Sequence, residues 1–443
     1  MYRRSIYWFK RDLRIEDNGA FFEAHSKSEE LIPIFIFIPE LLEKFKSNET
    51  RLGFVIECVK NLSDEIKSRG GKLFCFYEDP LIVIERLILN YKSDAVFTNR
   101  AFSWSVEKIE KKIELLCKEK NIPFHSFCDN FLVDPRSIPY TKVYSAFYKK
   151  WEKRLVLLPY TTPKVIKTPN IKEPELEDTL NKLKFRPNLY WKISFGFERL
   201  EKFDFHQYDK LRNRLDLDGT SKLSPYIRFG VISLRKLCKK ALENESKNSK
   251  FVKELAWREF WYHIKLNFPE LNLLEFQEKR RGLNWQNDEK FIKAFMEAKT
   301  GYPIVDAAII QLKEEGWMHN RARMIVANFL TKDLLVDWRI GEKFFMDYLI
   351  DYDEVVNVGN WQWCASVGTD PKPLRIFNPI KQAKKFDPEG LFIKKYIPDL
   401  KNIPPQMLHD PIKFDLPYYK TIVNHYERAL LAKEFYSKTL KDR

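Results

Sequence analysis

At 443 residues the chain is too long for one core, since cores stop growing at roughly 250–300 residues, and two domains are expected. Hydrophobic residues at 44%, charged residues at 31% and only 14 glycines exclude a disordered or fibrous chain. The 77 Lys and Arg against 62 Asp and Glu leave +15, which favours a polyanionic partner, although a solvated basic surface has the same arithmetic.

The start, Met1 to Arg4, is followed by Lys10 and Arg11 before any signal-peptide core forms, and the longest apolar run, Leu31 to Pro39, is too short to span a bilayer. A soluble, cytoplasmic protein is expected, with no membrane partner. Six cysteines (Cys58, Cys75, Cys117, Cys128, Cys238, Cys364) show no CxxC pair, which argues against a metal site or a disulfide framework and suits a reducing compartment.

In chain order, Ser5–Phe9, Leu31–Ile38, Lys72–Tyr77, Ala95–Phe97 and Pro123–Phe127 read as strands, and Leu52–Ser68, Ile82–Tyr91 and Val106–Lys118 as the helices between them. This alternation predicts an α/β domain over 1–135, a doubly wound parallel sheet able to take a nucleotide-like ligand at its carboxyl edge, although neither GxGxxG nor a Walker loop is present. Pro, Thr and Lys with weak periodicity mark 136–190 as a linker. From 191 to 443 strand signals almost vanish. Lys250–Asn267, Asp288–Ala298, Tyr302–Glu315, Asn320–Leu335 and Gly341–Leu349 predict an all-α domain.

Three stretches of the second half carry polar chemistry. Gly219 to Tyr226 brings hydroxyls and backbone amides before a helix, able to hold phosphate oxygens, as an ordinary helix cap also looks. Glu254, Trp257 and Trp261 occupy neighbouring turns of one helix, a stripe able to stack on a base and bond its edge, or simply a buried aromatic face. Asp351 to Trp363 combines carboxylates, amides and two indoles. If it is helical, Asn357 and Trp361 share a face and Trp363 lies roughly 200° around from Trp361. Eight of the 11 tryptophans fall from Trp191 onward; any one of them is ordinarily a core residue, and the cluster as a set is harder to dismiss as packing.

With these patches in order, the chain resembles the photolyase and cryptochrome family over nearly its whole length. Trp8 to Asn18 is similar to that family's opening strand and turn, and Gly219–Tyr226, Trp257–Phe260, Gly301–Ala307, Gly316–Met324, Lys332–Gly341, Asp351–Trp363 and Arg375–Asp387 match further motifs. The resemblance implies FAD in the helical domain, bound by Tyr208, Thr220, Ser221, Lys222, Leu223, Ser224, Phe251, Arg258, Asn320, Arg323, Asp351, Tyr352 and Asp353, with Asn357 facing flavin N5. It implies an electron relay through Trp361, Trp338 and Trp285, the last expected to reach solvent. Glu254, Trp257, Trp261, Asn320, Met324 and Trp363 would line a pocket for a flipped dimer, and Arg212, Arg321, Arg375 and Gln382 would contact ultraviolet-damaged DNA.

Within that family, Trp317 to Met324 resembles the cyclobutane-dimer repair enzymes of class I, where enzymes for the other major photoproduct carry a histidine pair, and Asn357 is unlike the plant and insect receptors. The expected activity is light-driven dimer splitting by electron transfer from excited reduced FAD, Glu254 bonding or protonating the dimer, in a monomer. A cryptochrome-like blue-light receptor is the alternative. The segment Phe97 to Glu107 lacks a folate-binding pattern, so a second, antenna chromophore is expected to be a flavin or deazaflavin rather than folate. Two positions depart from the family: Asn360 follows Gly359 where a second glycine is more usual, and Phe251 stands where a tryptophan is frequent.

Overall fold

The computed structural model describes residues 1–44, 48–183, 191–243, 249–372 and 374–441. The end of the expected linker, 184–190, and the last two residues of the expected helical domain lie outside the described residues.

Five strands, β1 (Tyr2–Phe9), β2 (Ser28–Phe37), β3 (Phe74–Tyr77), β4 (Ala95–Asn99) and β5 (Phe124–Phe127), form one parallel sheet in the order β3-β2-β1-β4-β5. Ile6 and Trp8 of β1 pack with Val83, Ile84 and Leu87 of α3 (Pro80–Tyr91) and Ile113 of α4 (Trp104–Glu119). The alternate residues Tyr7 and Phe9 meet Phe21 of α1 (Gly19–Ser26) on the other face, ring centroids 5.0 and 5.5 Å apart. Both faces are covered, which is why these strands read as unbroken apolar runs. The connecting α2 (Glu49–Lys67) and α3 are capped by Asn48 and Asp79, each side chain accepting a backbone N–H of the first turn.

The chain divides into two units. One joins Met1–Pro139, Lys149–Phe203 and Ser221–Glu259; the other joins Tyr140–Tyr148, Asp204–Thr220 and Phe260–Arg443. The segment Ser221–Glu259 groups with the sheet because Arg235 forms ion pairs with Asp17 (2.8 Å) and Asp129 (2.7 Å), all three buried. Leu13 also donates its N–H to the Phe229 carbonyl at 3.0 Å.

Helix α5 (Lys250–Asn267) ends where periodicity predicts, and the boundary between the units falls within it, after Glu259; the helical unit also contains α6 (Pro303–Glu315), α7 (Asn320–Asn328), α8 (Trp338–Tyr348), α9 (Glu354–Cys364) and α10 (His425–Lys441). The helix expected over Asn320–Leu335 is not continuous: after Asn328 the chain winds into a π turn, Phe329–Asp333. That turn sends two consecutive buried charges in different directions, Lys332 to the Tyr436 hydroxyl (2.6 Å) and Asp333 to the His425 ring (2.5 Å). Among the described residues, no helix is long and apolar enough to cross a membrane.

Candidate active site

Helix α9 organises the helical unit's polar chemistry. Asp353 caps it, accepting the Val355 and Val356 N–H groups at 3.2 Å each and the Tyr262 hydroxyl at 2.5 Å. One turn in, Asn357 donates its amide nitrogen to the backbone oxygen (3.2 Å) and carboxylate (3.0 Å) of Glu342 on α8. The same carboxylate receives the Tyr352 hydroxyl at 2.9 Å. An amide whose nitrogen is engaged presents its oxygen elsewhere, as an acceptor. A further turn on stands Trp361, buried against Phe345 (4.9 Å between centroids). A side chain at Gly341 would start 2.2 Å from the Trp361 ring, so glycine there lets α8 and α9 approach.

Gly359 does the same for α5: a Cβ would lie 2.4 Å from the Trp261 ring. Trp261 is only 2% exposed. It belongs to this helix packing, which corrects its expected place among the DNA-binding residues. Asn360 is exposed, its amide on the Val356 carbonyl (2.8 Å), so a side chain is accommodated where the family more often has glycine.

Helix α7 presents Asn320, Arg321, Arg323 and Met324 on its exposed or partly exposed side. Arg323 reaches the Met318 carbonyl and the Asp351 carboxylate, both at 2.8 Å. Buried Asp351 keeps its second oxygen, Oδ1, without a hydrogen-bond partner, a state that costs free energy and suits a ligand N–H or O–H. Arg321 is held by Asn213 (2.7 Å) and stacks on Phe386. Tyr208 and Arg212 form a cation-π pair at 5.4 Å, both partly buried.

Other expected residues lie in the sheet-containing unit or at its edge. After partly buried Thr220, Lys222 has left-handed backbone (φ 54°) and Leu223 right-handed, and successive residues of this kind form a concave nest of N–H groups for anions. Ser221 is buried and its Oγ accepts from Leu223 N at 3.4 Å, while Ser224 is exposed at the start of a short helix. On the first half of α5, Glu254, Trp257 and Arg258 are partly exposed on one side; Arg258 donates to the Asn130 carbonyl at 3.1 Å, and Phe251 is buried near Phe203. Within the helical unit, Asp351 Oδ1 is open to a ligand N–H or O–H and the Asn357 amide nitrogen is already engaged, while in the sheet-containing unit the Lys222–Leu223 nest suits an anion.

The remaining indoles are anchored differently. Trp363 is partly buried under the Arg375 guanidinium (4.9 Å), which is itself ion-paired with Asp370. Gln382 has a buried amide oxygen without a partner. Trp338 opens α8 and is 1% exposed. Trp285 is 9% exposed, covered by Phe435 (5.3 Å) and Tyr436 (6.1 Å) of α10. This overturns the expectation that Trp285 reaches solvent: the acidic helix start after it suggested a surface, but α10, far along the chain, closes over it.

Glu342 and Asp370 are the residues that reading the sequence missed. Each acts through another side chain, 15 residues away for Glu342 and 5 for Asp370, and neither stands in a stretch of unusual composition.

Residues 5–168 match the family model described as DNA photolyase, and residues 251–438 that of the FAD binding domain of DNA photolyase. A deoxyribodipyrimidine photo-lyase of Synechococcus sp. is 35% identical over 98% of this chain and 96% of its own length. An archaeal photolyase from Sulfolobus tokodaii, solved with two FAD molecules, superposes with a TM-score of 0.90 at 32% identity, covering 98% of this chain and all of that one. A class III photolyase from Agrobacterium tumefaciens gives 0.90 at 30% identity, covering all of this chain and 98% of that one.

Proposed function

This chain belongs to the DNA photolyase family, and on that premise we propose that it splits cyclobutane pyrimidine dimers in ultraviolet-damaged DNA, bound FAD, reduced and excited by light, supplying the electron that opens the ring and receiving it back. The observation that carries this reading is the Asn357 amide. With its nitrogen engaged by Glu342, its oxygen accepts the N5 hydrogen and gives no second proton to the ring. Arg323 and Asp351 flank the flavin as a charge pair, Lys222 and Leu223 hold the diphosphate through backbone N–H groups, and Tyr208, Thr220, Ser221, Ser224, Phe251, Arg258, Tyr352 and Asp353 complete its binding.

The dimer is flipped out of the duplex, where it already stacks poorly, and Trp257 stacks on it while Glu254 and Asn320 bond its edge. Met324 and Trp363 line the pocket, and Arg212, Arg321, Arg375 and Gln382 face the DNA. Trp361, Trp338 and Trp285 pass electrons inward when the flavin must be reduced. A second flavin serves as antenna, in line with the two FAD molecules and the light-harvesting role described for the Sulfolobus protein.

Irradiating one oligonucleotide with a single cyclobutane dimer and another with the other major pyrimidine photoproduct tests the reading. Only the first is expected to be restored, and Trp257→Ala should weaken its binding by about 1–3 kcal/mol with flavin retained. Repair of the second lesion, or of neither, overturns the proposal.

A further inference from the structure

Two of the relay tryptophans differ in what surrounds their indole N–H. Trp361 Nε1 is buried with no hydrogen-bond partner, and its ring packs on Phe345 and Gly341. Trp338, three residues before Gly341 on α8 and 1% exposed, donates its N–H to Glu275 Oε1 at 3.4 Å. Glu275 is itself buried and ion-paired with Arg339 at 2.8 Å. The Arg339 guanidinium lies 4.7 Å from the Trp338 ring and is also paired with Asp337 (3.2 Å). Two carboxylates and one guanidinium therefore sit about Trp338, a net charge of −1, whereas Trp361 packs on Phe345 and Gly341 with its N–H unpartnered.

We propose that Glu275 is a positioning residue of electron transfer: its carboxylate stabilises positive charge on Trp338 and so draws an electron vacancy from Trp361 outward. The inference rests on the relay reading above. The step is a single electron: Trp361, having lost one electron to the light-excited oxidised flavin, regains one from Trp338, Trp361 returns to a neutral indole, and Trp338 becomes a radical cation with its N–H still on Glu275. No proton moves, and an external thiol finally supplies the electron. In a buried site with low effective dielectric, a unit charge beside one indole and absent from the other biases this exchange strongly. Without Glu275, Arg339 above the ring opposes it.

Transient absorption of the FAD-loaded, oxidised protein after a light pulse reads the yield of long-lived tryptophanyl radical. Glu275→Gln brings the net charge about Trp338 to zero, and the yield should fall about tenfold. Adding Arg339→Gln returns the charge to −1, carried by Asp337, and should restore most of the yield. A pair that matters only for holding the chain together predicts the opposite, since the double variant loses more contacts than the single one; thermal melting of both variants records that loss separately. An unchanged yield in Glu275→Gln, or a lowered yield that Arg339→Gln fails to restore, overturns the assignment. Trp338→Phe separates the two levels: persistence of the radical signal there removes the relay itself, and its loss beside a normal Glu275→Gln removes only the role of Glu275.

Discussion

The amide nitrogen of Asn357 donates to the Glu342 carboxylate at 3.0 Å and to the same residue's backbone oxygen at 3.2 Å, so one residue of α8 fixes which end of the Asn357 amide faces away from α8. Glu342→Ala removes one of the two bonds and releases the Tyr352 hydroxyl as well. A net hydrogen bond is worth about 1 kcal/mol. Reduced flavin in this variant should reoxidise in air about fivefold to tenfold faster, followed by absorbance, while Glu342→Gln, which keeps an acceptor, should lie nearer the parent. Equal reoxidation in all three proteins would mean that Asn357 is oriented without Glu342.

Arg375 is expected on the DNA side, yet its charge is already matched by Asp370, whose side chain is fully buried, and its plane covers Trp363. A guanidinium neutralised in this way releases few counterions on binding. Arg375→Ala should lower affinity for dimer-containing DNA by loosening Trp363, with the salt dependence of binding unchanged. Arg321→Ala, on the partly exposed side of α7, should reduce the slope of log affinity against log salt by about one. A reduced slope for Arg375→Ala would show that Arg375 gives up Asp370 for a phosphate.

The sheet was legible because burial on both faces writes itself into short apolar runs such as Leu31 to Phe37, and α5 because its pattern keeps the helical period throughout. The Asn320–Leu335 segment was not, since a helix and a π turn share nearly the same apolar spacing, and only the long-range partners of Lys332 and Asp333 favour the turn. The Gly219–Tyr226 segment could be picked out by its hydroxyls, whereas Asp353 was named only through the resemblance and its capping of α9 is seen only in the structure. Glu342 and the covering of Trp285 by α10 depend on contacts between elements separate in the chain, and Asp370 on how an irregular segment folds back on Arg375, none of which leaves a local mark.

Burial pushes the Glu259 carboxyl up to about 7 from its ordinary 4.5, against the N–H groups of Trp151, Leu132 and Val133 that favour its charged form. A raised carboxyl is a folded state that prefers the proton. Its contribution to stability is whole below about 4.5 and is lost as pH rises through 7, and buried Asp306, also raised to about 7, acts in the same sense. Unfolding free energy should decline over this window, with Glu259 contributing up to about 3 kcal/mol. Glu259→Gln should flatten the decline whatever its effect on absolute stability, as urea unfolding at a series of pH values would record. An undiminished slope would place the pH dependence elsewhere.

Trp361 lies four residues beyond Asn357 on α9 and is the first donor of the proposed relay. Tryptophan loses an electron to a light-excited flavin far more readily than phenylalanine does, and several short hops outrun one long jump because tunnelling falls steeply with distance. Trp361→Phe keeps an aromatic ring against Phe345 and Gly341, and the smaller ring should cost about 1–2 kcal/mol of stability, leaving the protein folded with flavin bound. Photoreduction of its oxidised flavin by an external thiol should nevertheless be abolished. Dimer splitting should persist once the flavin has been reduced chemically, because the relay supplies only that reduction and the splitting electron comes from the flavin itself. Photoreduction at the parent rate would remove Trp361 from the relay, and failure to repair even after chemical reduction would move Trp361 into the chemistry of the lesion.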